Sequence, residues 1–492
     1  MAKKRVALVV VSYKKVYERS KITQAIPILP SLGLATVAGS IRELGDGYDV
    51  RIVDLNVENN ENQILESTFA DYQPDMVGVS FTIQNTNRAD EISRMAKEYN
   101  EDTITVAGGP HVSLLENGIR TVQTSSFDIA VVGEADLTIQ DILKHEHNLA
   151  NVPGIVFKNN GNAIANQPRA PIEDLDTLPM PAWHLFKLER YKMPKLLCKK
   201  PRVAPIETSR GCPFRCNFCS RNVFGMRYKY KSPKRVVKEF QYMKECGFEE
   251  VHVMDDMFTL LRPRAQKICE MLAEEKNDIY INIMNGIRVN SVDMKMLQTM
   301  KAANVYRASF GAESGNQKVL DDIQKGIKVE DIPHCFKMCR EVGIESLGYF
   351  MLGFPADTEE SMQDTIDIAK KADPDIAKVD ICTPMPGTLL FDRYQKMGGV
   401  LKVTDWSNFI YHDPREVYNH PTLSWDTIYK YYHKFYRQFY FRPKYITRRF
   451  VKGIREGTLM TDISAFFKTP WFSSNLPDNS SRTVQHEEQN TC

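Results

Sequence analysis

The 492-residue chain is 42% apolar and 26% charged, the balance of an ordinary globular protein long enough for two or three domains. Its net charge of +2 argues against a global basic field for nucleic acid, and no apolar stretch reaches transmembrane length. The ten cysteines, and an apolar run at Val6–Val11 too short for a signal peptide, predict a reducing, cytoplasmic setting in which thiols serve metals.

Residues 1–145 alternate short apolar runs with amphipathic stretches. Strands are predicted at Val6–Val11, Val50–Leu55, Met76–Phe81, Ile104–Ala107 and Ile129–Val132. Helices are predicted at Leu32–Leu44, Asn62–Tyr72, Arg88–Tyr99, Leu114–Val122 and Leu137–Lys144. This repeated β-α rhythm implies an α/β fold with a doubly wound, Rossmann-like parallel sheet, whose ligands bind at the carboxyl ends of the strands. Polar and glycine residues gather at those ends: Ser12, Gly33, Thr82, Gly108, Gly109 and His111, then Gly133 and Glu134. By themselves they say only that the domain binds a ligand. Residues 146–200 read as a connector. It holds a β-hairpin at Gly154–Asn166, turning at Asn159-Asn160-Gly161-Asn162, and then a Pro-bearing strap in which Trp183 and His184 pack.

Residues 201–400 resume the rhythm after Cys212-Pro213-Phe214-Arg215-Cys216-Asn217-Phe218-Cys219. Four thiolates would close a [4Fe–4S] cluster; three leave one iron open for chemistry. A zinc site is the alternative, but zinc favours paired C-x-x-C units and a fourth ligand at a defined distance, and no cysteine follows until Cys246. Six β-α units, starting with the strand Val203–Glu207, suit a partial barrel with its site at the strand C-termini. Asp255 and Asp256, Arg288, Glu313 and Ser314, and Gly353 all fall there. Residues 401–472 are expected to be a mainly helical cap. Its Tyr-rich helix Trp425–Phe441 and the bases Arg442 to Arg455 suggest either a lid packed over the open barrel or a membrane-surface contact. Residues 473–492 are expected to be a disordered tail, with no role for Cys492.

The three-cysteine loop resembles the signature of the radical S-adenosylmethionine (SAM) superfamily. The set Pro30-x-x-Gly33-Leu34, Gly108-Gly109-Pro110-His111 and Gly133-Glu134 before it resembles the cobalamin domain of cobalamin-dependent members, including radical methyltransferases and anaerobic porphyrin cyclases. The resemblance implies three cofactors: a [4Fe–4S] cluster on Cys212, Cys216 and Cys219, SAM, and cobalamin. It implies SAM contacts from Phe218, Asp255, Asp256, Arg288, Glu313, Ser314 and Gly353. It implies cobalamin contacts from Ser12, Gly33, Thr82, Gly108, Gly109, His111, Gly133 and Glu134. No D-x-H-x-x-G run is present, so no lower-face histidine is assigned to cobalt. The implied activity is reductive cleavage of SAM followed by methylation of an unactivated carbon of a small-molecule, lipid or peptide substrate. Electrons would come from a flavodoxin or ferredoxin. Cyclisation or rearrangement is the runner-up, and a non-catalytic cobalamin or redox sensor the reading from another class. No catalytic side chain is assigned.

Overall fold

The computed structural model describes residues 3–14, 16, 27–398, 400–402, 405–409 and 413–468; the tail 473–492 and Cys492 lie outside the described residues. Five parallel strands come first: β1 Lys4–Val10, β2 Tyr48–Asp54, β3 Met76–Ser80, β4 Ile104–Gly108 and β5 Ile129–Val131. Side chains alternate across a strand, so β1 feeds two cores. Ala7 and Val9 join Ile92 and Ala96 of the helix Thr86–Tyr99, whereas Val6, Leu8 and Val10 join Val37 and Ile41 of the helix Leu32–Arg42. Helices on both faces make the sheet doubly wound. The hairpin forms as β6 Ile155–Asn159 and β7 Asn162–Ala165 and extends this sheet, antiparallel, into the order β2-β1-β3-β4-β5-β6-β7. The helix expected over Asn62–Tyr72 is broken: Glu61–Ser67 is α-helical and Thr68–Tyr72 widens into a π turn ended by left-handed Gln73.

The second sheet is all parallel, in the order β15-β14-β13-β12-β11-β8. Its strands are β8 Val203–Ile206, β11 Glu250–Val253, β12 Tyr280–Ile283, β13 Val305–Glu313, β14 Glu345–Leu352 and β15 Ile376–Ile381. A two-stranded antiparallel ribbon, β9 Ser209–Arg210 with β10 Lys229–Tyr230, stands at the exit of β8. Phe310 and Phe350 face the surrounding helices. The register places Ser309, Leu347, Tyr349 and Met351 on the opposite, concave face. A polar layer closes the amino end of that face: Arg307 Nε donates to Glu345 Oε2 at 2.8 Å, and fully buried His252 lies 2.8 Å from Glu250.

The open edge of this sheet, β15, is covered by the helix Trp425–Tyr440. Tyr436 Oη donates to Val379 O at 3.0 Å and accepts from Val379 N at 3.3 Å. Tyr440 Oη does the same with Ala377, at 2.8 and 3.1 Å. Two strand residues rise about 6.6 Å and four helical residues about 6 Å, so tyrosines four apart match alternate edge groups. Unpaired strand edges invite aggregation, and here phenols take up the edge. The Tyr-rich helix thus packs over the open edge of the barrel, and a further helix, Pro443–Glu456, begins at Pro443.

Candidate cofactor site

The three cysteines sit in the loop between β9 and β10. Gly211 is left-handed (φ +81°), and a Cβ there would come within 2.3 Å of Arg227 O. Only glycine lets the chain turn from the ribbon into the loop. Cys212 N donates to Gly225 O at 3.3 Å and Cys219 N to Cys216 O at 3.2 Å. Asn217 pins the middle of the loop: its Nδ2 donates to Asp322 O at 2.8 Å, its N to Ile323 O, and its O accepts from Leu390 N. Cys212 and Cys216 are half-buried and Cys219 is exposed, so the loop's thiols are accessible. Among the described residues no group of three His, Cys, Asp or Glu side chains converges as the ligands of one metal ion would. A cluster asks for less convergence, because each thiolate binds a different iron.

The strand-end residues divide into two kinds. Asp255 is fully buried and saturated: it accepts from Thr208 N at 2.6 Å, Thr208 Oγ1 at 2.5 Å and Ser209 Oγ at 2.6 Å. Its carboxylate fastens the base of the cysteine loop. Burial raises its pKa, and the hydroxyl donors pull it back. Asp256 is open to the recess and accepts from Gly211 N at 3.0 Å; the protein around it raises its pKa, and Asp255 adds to that. Ser314 is likewise spent within the fold, 3.2 Å from Thr365 Oγ1. Arg288 is 5% exposed, with its guanidinium 3.8 Å over the Phe214 ring and its Nη2 buried without a partner. A buried guanidinium nitrogen with no acceptor is costly unless an anion completes it. Beside it, Glu313 takes a left-handed backbone (φ +61°) at a bulge in β13 and pairs with Lys325 at 2.6 Å. Strain of that kind in a non-glycine residue marks functional sites. Gly353 is also left-handed (φ +79°), and the next residue, Phe354, sets its ring 5.4 Å from Phe218.

On the first sheet, Ser12, Thr82, Gly108 and Gly133 lie at or just beyond strand ends, and Gly33 lies in the first turn of the helix Leu32–Arg42. Gly33 has open space where a Cβ would stand. Gly109 is required by its own turn, because a Cβ would meet Phe81 O at 2.7 Å. His111 is 6% exposed, between Phe81 and Trp406, with Asn117 at 3.5 Å; burial, with Arg120 nearby, lowers its pKa to about 4. That ring packs within the loop, and the indole over it was not foreseen from sequence. Glu134 departs from the expectation of a corrin contact. Its Oε1 accepts from Arg210 Nη1 at 2.9 Å, its Oε2 from Lys229 Nζ at 2.9 Å and Ile172 N at 3.0 Å. Arg210 also donates from Nη1 to Asp136 Oδ2 at 2.9 Å and from Nε to Glu207 Oε1 at 2.5 Å. This buried network bolts the ribbon that carries the cysteine loop to the first sheet.

A doubly wound domain whose strand ends face a three-cysteine loop on a six-stranded partial barrel defines a class: radical SAM enzymes with a cobalamin-binding domain. The Radical SAM superfamily model matches residues 206–369 and the B12 binding domain model residues 23–143. An uncharacterized methyltransferase of Pyrococcus horikoshii is 33% identical over 85% of this chain and 89% of its own. The chain belongs to this family, and its cofactors are a [4Fe–4S] cluster, SAM and cobalamin. The anaerobic magnesium-protoporphyrin IX monomethyl ester cyclase of Rubrivivax gelatinosus is 28% identical over 78% of this chain and 69% of that protein. The cytidylyl-2-hydroxyethylphosphonate methyltransferase of Streptomyces wedmorensis is 26% identical over 75% and 78%. Among solved structures, the radical SAM methyltransferase TsrM from Kitasatospora setae shares the fold at a TM-score of 0.67 and 18% identity, covering 82% of this chain and 80% of that one. The cobalamin-dependent SAM radical enzyme OxsB shares it at 0.70 and 18%, covering 95% and 71%. The residues present fit these groups: the orphaned Arg288 nitrogen suits a carboxylate, and the open glycine at Gly33 suits a bulky ring.

Proposed function

We propose that the chain methylates an unactivated carbon of a small-molecule, lipid or peptide substrate. The observation that carries this reading is the joining of the two cradles. The ribbon that holds the cysteine loop is ion-paired to the first sheet through Glu134 and Asp136, so both cofactors serve one chamber. Bound there, the cluster with SAM would supply radical chemistry, and cobalamin would supply the methyl group. The chain's own residues do the rest. Cys212, Cys216 and Cys219 hold three irons. Arg288 receives the SAM carboxylate, Asp256 its ammonium group, and Phe218 with Gly353 the adenine; Asp255 and Ser314 keep the loop and the strand end in shape. Ser12, Gly33, Thr82, Gly108 and Gly133 border the corrin. Met254, Met284, Leu347 and Met351 give the concave face an apolar lining that keeps water from a radical. Tyr349 stays a neutral phenol there, because burial raises its pKa.

Reducing equivalents arrive from a flavodoxin or ferredoxin on the side where Cys219 is exposed. Free thiols throughout the described residues support a cytoplasmic location, and no described helix is long and apolar enough to cross a membrane. The cyclase relative keeps ring closure as the second reading. Incubating reduced holoenzyme with SAM and a cell extract, and measuring 5′-deoxyadenosine together with S-adenosylhomocysteine, separates them. Methylation yields both; ring closure yields the first alone; a sensor yields neither.

A further inference from the structure

Gly353 and Phe354 leave β14 in a turn that is held from several sides. Gly353 is left-handed (φ +79°), and a Cβ on it would stand 3.6 Å from Ile428 of the helix Trp425–Tyr440. Phe354 is fully buried, and its N donates to Asp357 Oδ2 at 2.9 Å. Ser361 Oγ donates to the other carboxylate oxygen, Oδ1, at 2.5 Å. A backbone carbonyl has room for two hydrogen bonds. Phe354 O accepts one from Asp357 N at 2.9 Å, and the other comes from far along the chain, from His420, whose Nε2 lies 3.0 Å away.

The partners of His420 decide which of its nitrogens carries the proton. Thr422 N and Leu423 N both donate to Nδ1, at 3.2 and 2.9 Å. Nδ1 is therefore an acceptor, and the proton of the neutral ring sits on Nε2, facing Phe354 O. The side chain is buried, and burial lowers its pKa, so the ring is neutral at physiological pH. His420 thus joins two pieces of the fold. Its Nδ1 shapes the segment that leads into the helix Trp425–Tyr440, capped by Ser424, and its Nε2 ties that segment to the turn after β14. On the far side of the turn, the Phe354 ring stands 5.4 Å from Phe218, which lies between Cys216 and Cys219 in the cluster loop.

We propose that His420 is a positioning residue for SAM: through Phe354 O it sets the Gly353–Phe354 turn against Phe218, and so makes the C-terminal region part of adenine binding. The match to the Radical SAM superfamily ends at residue 369, and His420 lies beyond it. His420 has this role only if Phe218 and Gly353 receive the adenine, as proposed above. Without its donor, Phe354 O keeps Asp357 N as a partner, so the turn still forms but is less confined. SAM must then order the turn as it binds, and the ordering is subtracted from its affinity.

The test is titration of the reduced cluster's paramagnetic resonance signal with SAM, in full-chain holoenzyme carrying one of two variants that divide the two bonds of the ring. His420→Asn keeps an acceptor for Thr422 N and Leu423 N, as asparagine does for the backbone two residues on, but is too short for Phe354 O. His420→Gln sets an amide N–H where Nε2 stood and gives up the Nδ1 acceptor. SAM affinity is expected to be roughly three- to tenfold weaker in His420→Asn and near native in His420→Gln, with native iron content in both. Native affinity in His420→Asn overturns the proposal, and that variant decides alone should the other not fold. Equal weakening in both, or affinity that follows melting temperature rather than the donor to Phe354 O, also overturns it. Phe218→Ala tells this failure from that of the adenine assignment. Weakened SAM binding there, beside native affinity in His420→Asn, removes the role of His420 alone. Native affinity in Phe218→Ala removes the adenine assignment and the role of His420 with it.

Discussion

Arg288 is the side chain whose surroundings say most about what it awaits. Its ring contact with Phe214 and its backbone bond to Ser291 fix its place, yet Nη2 is buried with no acceptor. Charge-assisted hydrogen bonds contribute about 1.5–3 kcal/mol. Arg288→Met is therefore expected to weaken SAM binding roughly tenfold to a hundredfold. Iron content would stay native, and titration of the cluster's paramagnetic resonance signal with SAM would show the shift. Asp255 and Asp256 are expected to part company. Asp255→Asn, which leaves three donors facing an amide, lowers iron occupancy; Asp256→Asn keeps the iron and weakens SAM binding. Equal effects on both readouts would contradict the division of roles. The residue types and the strand ends were legible in the sequence, since β-α periodicity places them. Which of two adjacent carboxylates faces the recess was not, because that depends on Thr208 and Ser209 arriving from a neighbouring strand.

Between β15 and the helix Trp425–Tyr440, the contact is made by hydroxyls as much as by rings. Tyr436→Phe and Tyr440→Phe each strand a peptide N–H and a C=O of the edge strand. Each is expected to cost about 1–3 kcal/mol in urea unfolding, with m unchanged. A neutral outcome for both would mean that the edge is held by apolar contact alone. The aromatic periodicity of this helix was visible in the sequence, and its place over the open barrel followed from it. Its polar pairing with a strand was not, because a buried phenol reads as another apolar ring until its partner is known. The next helix was missed for a related reason. Arg448, Arg449 and Lys452 look like a solvated face, and only their partners Asp373, Asp462 and Glu345 show which way they point.

Across the whole molecule, two ion networks tie the parts together. The first, around Glu134, is buried between the two sheets. Glu134→Gln leaves Arg210 and Lys229 short of counter-charge and is expected to cost about 3 kcal/mol or more, read as a lower melting temperature. The second centres on Glu345. Burial alone would raise its pKa, but Arg307 and Lys452 together outweigh that and hold it at about 2. Its stabilising contribution is therefore complete above the ordinary glutamate range and is lost as pH falls from about 4.5 toward about 2. Glu345→Gln is expected to be less stable at neutral pH and to show a flatter loss of melting temperature across that acid window. The α/β class, the two sheets and the three-cysteine loop were readable because hydrophobic period and cysteine spacing are local. The joining of the domains was not, since Glu134 meets Arg210 across a span of sequence that no local pattern reports.

The central claim is that radical and methyl donor meet in one chamber. It is tested most directly by supplying reduced, cobalamin-loaded protein with SAM carrying a trideuteromethyl group, together with extract from cells lacking the protein. The account predicts a product bearing the labelled methyl on carbon, S-adenosylhomocysteine and 5′-deoxyadenosine in equal amounts, and none of these from Cys216→Ala. Steady formation of 5′-deoxyadenosine with no labelled product and no S-adenosylhomocysteine would contradict it.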